Sequence, residues 1–273
     1  MHISLTSLQV GWLIGVGICT LGGTFFFIRE WTKRKPLSPL APLQMHWIKI
    51  IGCGLMFVVV PLGIHCVFKF ILHAPNKGNW VYGYSFLTEC ILALFFLKIM
   101  RQRAFTMNTN RYKLSHIGLT IHGFLQLLPI VIFSMIGWGI VLYILKRLGL
   151  PIHIDPQPVV QLLLIHNPTP FSMVAIILTI GVFAPICEEV FFRGILLRFF
   201  SRFASFKLSL WADAFIFALV HHHLTTFVPL MLLGYYFCKY YARGRNLWVN
   251  IGMHALFNLG NLANIFILKS LVL

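Results

Sequence analysis

The chain has 273 residues, of which 59% are hydrophobic and 10% charged, with a mean hydropathy of +0.85. A soluble protein of this length would carry more than twice that charge, and several apolar runs exceed the ~18 residues of a spanning helix. The composition therefore excludes a soluble domain and specifies an all-α, polytopic membrane helical bundle. The net charge of +16 does not require a nucleic-acid partner. Lys and Arg cluster in short loops between apolar runs, where the positive-inside bias and anionic headgroups account for them.

The first apolar run covers about residues 8–28 and is rich in glycine, which suits close helix contact in lipid. With no Lys or Arg before it and no small-residue cleavage site after it, it reads as a retained helix and not a signal peptide. Arg29, Lys33, Arg34 and Lys35 follow, then Pro36, Pro39 and Pro42. Further runs cover about residues 50–72, 80–100 and 121–145. The Pro-rich stretch Pro151 to Pro170 reads as a loop carrying a short surface helix. Four more runs follow, at about residues 171–197, 208–223, 227–241 and 247–268.

That makes about eight transmembrane helices, with basic loops after the first, third, fifth and seventh. The positive-inside rule places those loops in the cytoplasm and both termini outside. Residues 1–150 form N-terminal helices of unassigned role, and residues 151–273 hold every motif. The six cysteines form no CxxC pair and lie in apolar runs, so they read as small buried hydrophobes.

Of the six acidic residues, Glu188 and Glu189 stand side by side inside an apolar run. Ionisable groups at membrane depth default to function. Glu189 and Arg193 are four apart and share a helix face, so they can pair. Glu188 is turned about 100° away, free to face something else. The plain alternative is a structural ion pair.

Two more polar sets lie downstream. Phe217 to His221 opens the run His221-His222-His223, whose last two members can be interfacial. His254 and Asn258 share a face at i, i+4, and both can donate to a developing oxyanion; the alternative is polar glue between helices. At ~1.5 Å per residue, Glu188, His221 and His254 lie roughly 15, 21 and 14 Å from the basic ends of their helices, so they can converge near mid-membrane. A carboxylate, two imidazoles and an amide around one pocket suit water activation with oxyanion stabilisation. The same groups could bind Zn²⁺, but no HExxH motif is present, and no metal ligand or required cofactor is assigned.

These motifs resemble those of the CPBP family, the CAAX proteases and bacteriocin-processing enzymes also called Abi. The family pattern EExxxR, FxxxH, HxxxN is met by Glu188-Glu189-Val190-Phe191-Phe192-Arg193, then Phe217 to His221, then His254 to Asn258. The match runs from about 171 to 268 in the family's order. The resemblance implies an intramembrane endopeptidase in which Glu188 acts as general base on water, helped by His221. His254 and Asn258 would stabilise the oxyanion, with Glu189 and Arg193 supporting the site and no metal bound. Eukaryotic members remove the last three residues of prenylated CAAX proteins; bacterial relatives are linked to bacteriocin maturation, self-immunity and regulated cleavage.

The expected substrate is a membrane-associated protein or peptide, and short loops without an organelle-type targeting segment lean towards a bacterial inner membrane. Two alternatives stay open. One is a non-catalytic scaffold or self-immunity protein of the same fold. The other is a proton-coupled transporter, which should show repeats or broken helices in both halves, whereas the polar residues here crowd into the last 100.

Overall fold

The computed structural model describes residues 7–32, 37, 39–41, 43–73, 79–102, 114–155, 157–165 and 167–272. It is an all-α polytopic membrane bundle, and nine helices stand among the described residues. The first four are α1 (Ser7–Thr32), α2 (Trp47–Ile71), α3 (Asn79–Met100) and α4 (Leu114–Arg147). The short α5 (Pro158–Ile165) and the long α6 (Pro170–Phe200) follow. The last three are α7 (Phe206–Leu219), α8 (Phe227–Gly244) and α9 (Leu247–Val272).

The eight anticipated apolar runs fold as α1–α4 and α6–α9, in order. Five of them, α1, α2, α3, α4 and α6, are long and apolar enough to cross a membrane. α7 is the clearest departure. Its 14 residues rise about 21 Å, short of a hydrocarbon core of ~30 Å. Of the basic residues used for the topology, Lys33, Arg34, Lys35, Arg103, Arg111 and Lys113 lie outside the described residues.

Helix α6 sits at the centre of the bundle. It packs on α3 and α9 and touches α2, α7 and α8, while α1 runs along α4. Only 6% of the α1 span is buried, against 39% of the α6 span, so α1 is the peripheral element. Its approach to α4 uses Gly23, where an added Cβ would stand 1.8 Å from the Leu125 carbonyl oxygen. That carbonyl is the one that Pro129, four residues on, cannot bond, because proline has no N–H. A glycine is therefore needed where α1 crosses this bare carbonyl. Nearby, Gln126 donates to the Phe26 carbonyl (3.2 Å) and accepts from the Tyr236 hydroxyl (2.8 Å), linking α1, α4 and α8.

The ends of the motif helices are fixed by short-range chemistry. Thr169 caps α6, its hydroxyl accepting from the Ser172 N–H (3.2 Å), and Pro170 occupies the first turn, where no donor is lost. Ser205 caps α7 in the same way. Between α8 and α9 the chain turns over Arg245 and Asn246, with Arg245 in the left-handed conformation (φ 51) and the Asn246 side chain accepting from the Trp248 N–H (2.9 Å).

The linker after α1 is anchored at this same end. Arg198, Arg202 and Arg245 donate to the carbonyls of Ala41, Met45 and Pro39 at 2.9, 3.2 and 3.2 Å. Outside a helix these three carbonyls need other donors, and the arginines supply them.

The short helix expected in the Pro-rich stretch is present as α5, lying at the surface with Gln161 and Leu164 exposed and Leu163 turned inward. Leu163 is fully buried, packing with Tyr82, Ile176 and Leu262. Lys269 of α9 donates to the Leu163 carbonyl (2.8 Å), closing the C-terminal end of α5.

Candidate active site

Helix α6 carries the Glu pair between two wide, π-type turns at Thr179–Phe183 and Val190–Leu196. The first lies just ahead of Pro185, whose ring would clash with the carbonyl four residues back in a regular helix; the wider turn makes room for it. Such π turns are frequent at functional sites. Here they bracket Ala184–Glu189, so the two glutamates leave the helix in different directions, one into the protein and one towards a cavity.

Glu189 points inward and is completely buried. Its Oε1 accepts from Arg193 Nη1 at 2.8 Å and lies 2.9 Å from His254 Nδ1. Its Oε2 accepts from Asn250 Nδ2 at 3.2 Å, and the same amide nitrogen donates to the Phe237 carbonyl (2.9 Å). Arg193, also fully buried, gives its other terminal nitrogen to the Gly234 carbonyl (3.2 Å). Its Nε lies 3.8 Å from Asp213 Oδ2, which in turn accepts from the Cys238 thiol (2.8 Å). The rings of Phe217, Phe237 and Phe192 surround the guanidinium at 4.5, 5.1 and 5.7 Å. A charge taken this far from water survives only with such pairing, and cation–π contact adds to it. Gly234 makes the arrangement possible: α8 comes so near that a Cβ there would meet the Phe217 ring at 3.1 Å and the Ala214 Cα at 3.2 Å.

Glu188 faces the other way. It lines a cavity of about 710 Å³ together with His221, His254 and Asn258. Its Oε2 stands 3.7 Å from His254 Nε2 and has no hydrogen-bond partner among the described residues. His254 thus bridges the pair, Nδ1 to Glu189 and Nε2 towards Glu188. A carboxylate can only accept, so Nδ1 carries a proton, and Nε2 is turned towards Glu188 and the cavity. A carboxylate that fixes the tautomer and orientation of an imidazole is a recurrent device in hydrolytic sites.

His221 departs from expectation in its setting. It lies beyond the end of α7, in a turn, and not inside a spanning helix. Its Nδ1 stands 2.6 Å from the Phe217 carbonyl, so that nitrogen is the protonated one and Nε2 is the acceptor. The triple histidine is explained by the turn. His222 takes the left-handed conformation (φ 49) that ends the helix, and His223 bonds the Thr225 hydroxyl (2.7 Å), leaving His221 as the member that lines the cavity.

Asn258 donates to the Ile180 carbonyl (3.0 Å). A carboxamide has two donor hydrogens, so the other remains for the cavity. Among the described residues no group of three or more His, Cys, Asp and Glu side chains is placed to hold a metal ion.

Five participants were not singled out from the sequence. Asn250 is four residues before His254 and shares its face, a signal that the i, i+4 rule could have supplied. Asp213 is four before Phe217 on α7 and was visible as another acidic residue in an apolar run. Cys238 and Gly234 gave no signal. Glu89 of α3 approaches α6 from the side: the Cys187 thiol lies 3.9 Å from its main-chain carbonyl.

Residues 170–260, about a third of the chain, match the family described as Rce1-like, Type II CAAX prenyl endopeptidase Rce1-like. No curated protein and no solved structure matches the chain. The matched segment begins at the first residue of α6 and ends within α9, so it contains the whole cluster from Glu188 to Asn258. Over that segment the chain is similar to the Rce1-like family, in line with the CAAX-protease resemblance of its three motifs. The fold is that of an integral membrane protein, and its matched segment is similar to a protease family.

Proposed function

We propose that the chain is an intramembrane endopeptidase that hydrolyses a peptide bond of a membrane-associated protein or peptide, using a water activated by Glu188. The observation that carries this reading is the opposed environment of the Glu pair: Glu189 is locked to Arg193, Asn250 and His254, while Glu188 lines the cavity with its Oε2 unpartnered among the described residues and 3.7 Å from His254 Nε2. A water about 2.8 Å from the Glu188 carboxylate and from His254 Nε2 can accept from that nitrogen when it is protonated and give its two hydrogens to Glu188 and His221 Nε2.

In the forward step the water oxygen attacks the scissile carbonyl carbon as Glu188 takes one of its protons. The carbonyl pair moves onto oxygen, and the oxyanion is held by Asn258 and by His254 when its Nε2 is protonated. Collapse breaks the C–N bond, and protonated Glu188 delivers its proton to the leaving nitrogen, which regenerates the carboxylate. Glu189 keeps His254 aligned throughout, with Arg193 and Asn250 holding Glu189. The cell membrane of a bacterium is the proposed location, and a prenylated CAAX protein is the less favoured substrate.

The test compares protein termini in membranes from cells carrying wild type, Glu188→Gln or His254→Ala. Termini present with wild type and lost in both variants identify the activity and its substrate. Identical termini in all three, at equal protein levels, would leave a non-catalytic scaffold as the reading.

A further inference from the structure

The cavity has two unlike walls. One is apolar, built from Val131, Ile132 and Met135 of α4 and Leu163 of α5. The other belongs to α9, where Asn258, Asn261 and Asn264 line the space beside Phe257, Leu262 and Ile265. Successive members of this ladder are about 4.5 Å apart along the helix axis. Carboxamides facing an apolar wall inside a membrane bundle are costly unless matched.

Most of their bonding capacity faces the cavity. Asn261 is exposed to it and makes no hydrogen bond among the described residues. Asn264 accepts from the Trp12 indole N–H of α1 (3.4 Å), leaving its amide hydrogens. Asn258 uses one hydrogen on Ile180.

We infer that this ladder is the docking edge for an extended peptide main chain, with Asn261 and Asn264 as substrate-positioning residues. Each carboxamide offers both a donor and an acceptor, which is what the edge of an extended strand presents. From Asn258 to Asn264 is about 9 Å, the length of about three extended residues at ~3.3 Å each. A helix satisfies its amides internally and would leave the ladder unmatched, as would a bare isoprenoid chain. The substrate segment is therefore unwound when it enters, its side chains against the apolar α4 and α5 wall and its main chain on α9. The position of the scissile bond, beside Glu188 and His254, rests on the peptidase reading; the binding edge does not.

The test uses Glu188→Gln protein immobilised in nanodiscs. It is offered a mixture of synthetic apolar peptides of about eight residues, enough to cover the wall at ~3.3 Å per residue, and the same mixture N-methylated at every residue. Retained peptides are quantified by mass spectrometry. The expected result is about tenfold better retention of the unmethylated peptides, and about tenfold loss on adding Asn261→Leu or Asn264→Leu, the effect of one or two lost hydrogen bonds. Asn261→Gln should restore most of the retention. Equal retention of methylated peptides, retention unchanged by the Leu variants, or no retention at all overturns the inference. Retention without any Glu188-dependent cleavage by the wild-type protein would instead remove the peptidase reading and leave the ladder standing.

Discussion

The two sides of the Glu188–Glu189 pair differ in almost every physical respect. Behind Glu189 lies a dry, closed network: two carboxylates, a guanidinium, a carboxamide and a thiol from α6, α7, α8 and α9, under phenylalanine rings. Ahead of Glu188 lies an open cavity with a mainly apolar lining, into which a few polar side chains such as His221, Asn258 and Asn261 are set. The first arrangement is what a buried charge needs to persist; the second is what a reacting group needs to meet water and substrate. Adjacent residues of one helix acquire these opposite roles because consecutive side chains diverge by about 100°, and because π-type turns on either side fit the segment around Pro185.

The largest way to break this comparison is to open the dry side. Arg193→Met leaves Glu189 and Asp213 buried without their cation. It should destabilise the fold by about 3–5 kcal/mol, read as a large fall in the thermal midpoint in detergent. Asn250→Ala removes one donor to Glu189 while the charge pair stays. A loss of about 1–3 kcal/mol is expected, with reduced cleavage because Glu189 then orients His254 less firmly.

Away from the site, Gly23→Ala drives a Cβ into the Leu125 carbonyl and forces α1 off α4. The expected cost is about 1–3 kcal/mol, with the Glu189 network untouched, which hydrogen exchange over α6 and α9 would show. The smallest effect is Trp12→Phe, which removes a single bond to Asn264. Its stability cost should stay at or below about 1 kcal/mol, within reach of a careful melting comparison.

The sequence was most legible where charge is scarce. In a chain with 10% charged residues, Glu188, Glu189 and Arg193 announce themselves, and their pairing follows from helical spacing alone. His254 and Asn258 were readable for the same reason. His221 was located by its spacing from Phe217, but its turn was not, because the left-handed residue that ends α7 is a histidine and not a glycine. Asp213 and Cys238 could not be paired from sequence, since their contact depends on how closely α7 meets α8 at Gly234. Nor does any motif reveal that α4, far from the matched segment, supplies the apolar wall of the cavity. Such contacts depend on helix packing, which no single segment encodes.

The most direct test sets the two neighbours side by side, with Glu188→Gln and Glu189→Gln each measured for thermal stability and for cleavage of a wild-type substrate. The account predicts that Glu188→Gln loses cleavage by about 10²-fold or more while melting like wild type. Glu189→Gln, which takes the close carboxylate from buried Arg193 and leaves it Asp213 at 3.8 Å, should melt well below it. A Glu188→Gln protein that cleaves at the wild-type rate would contradict the account.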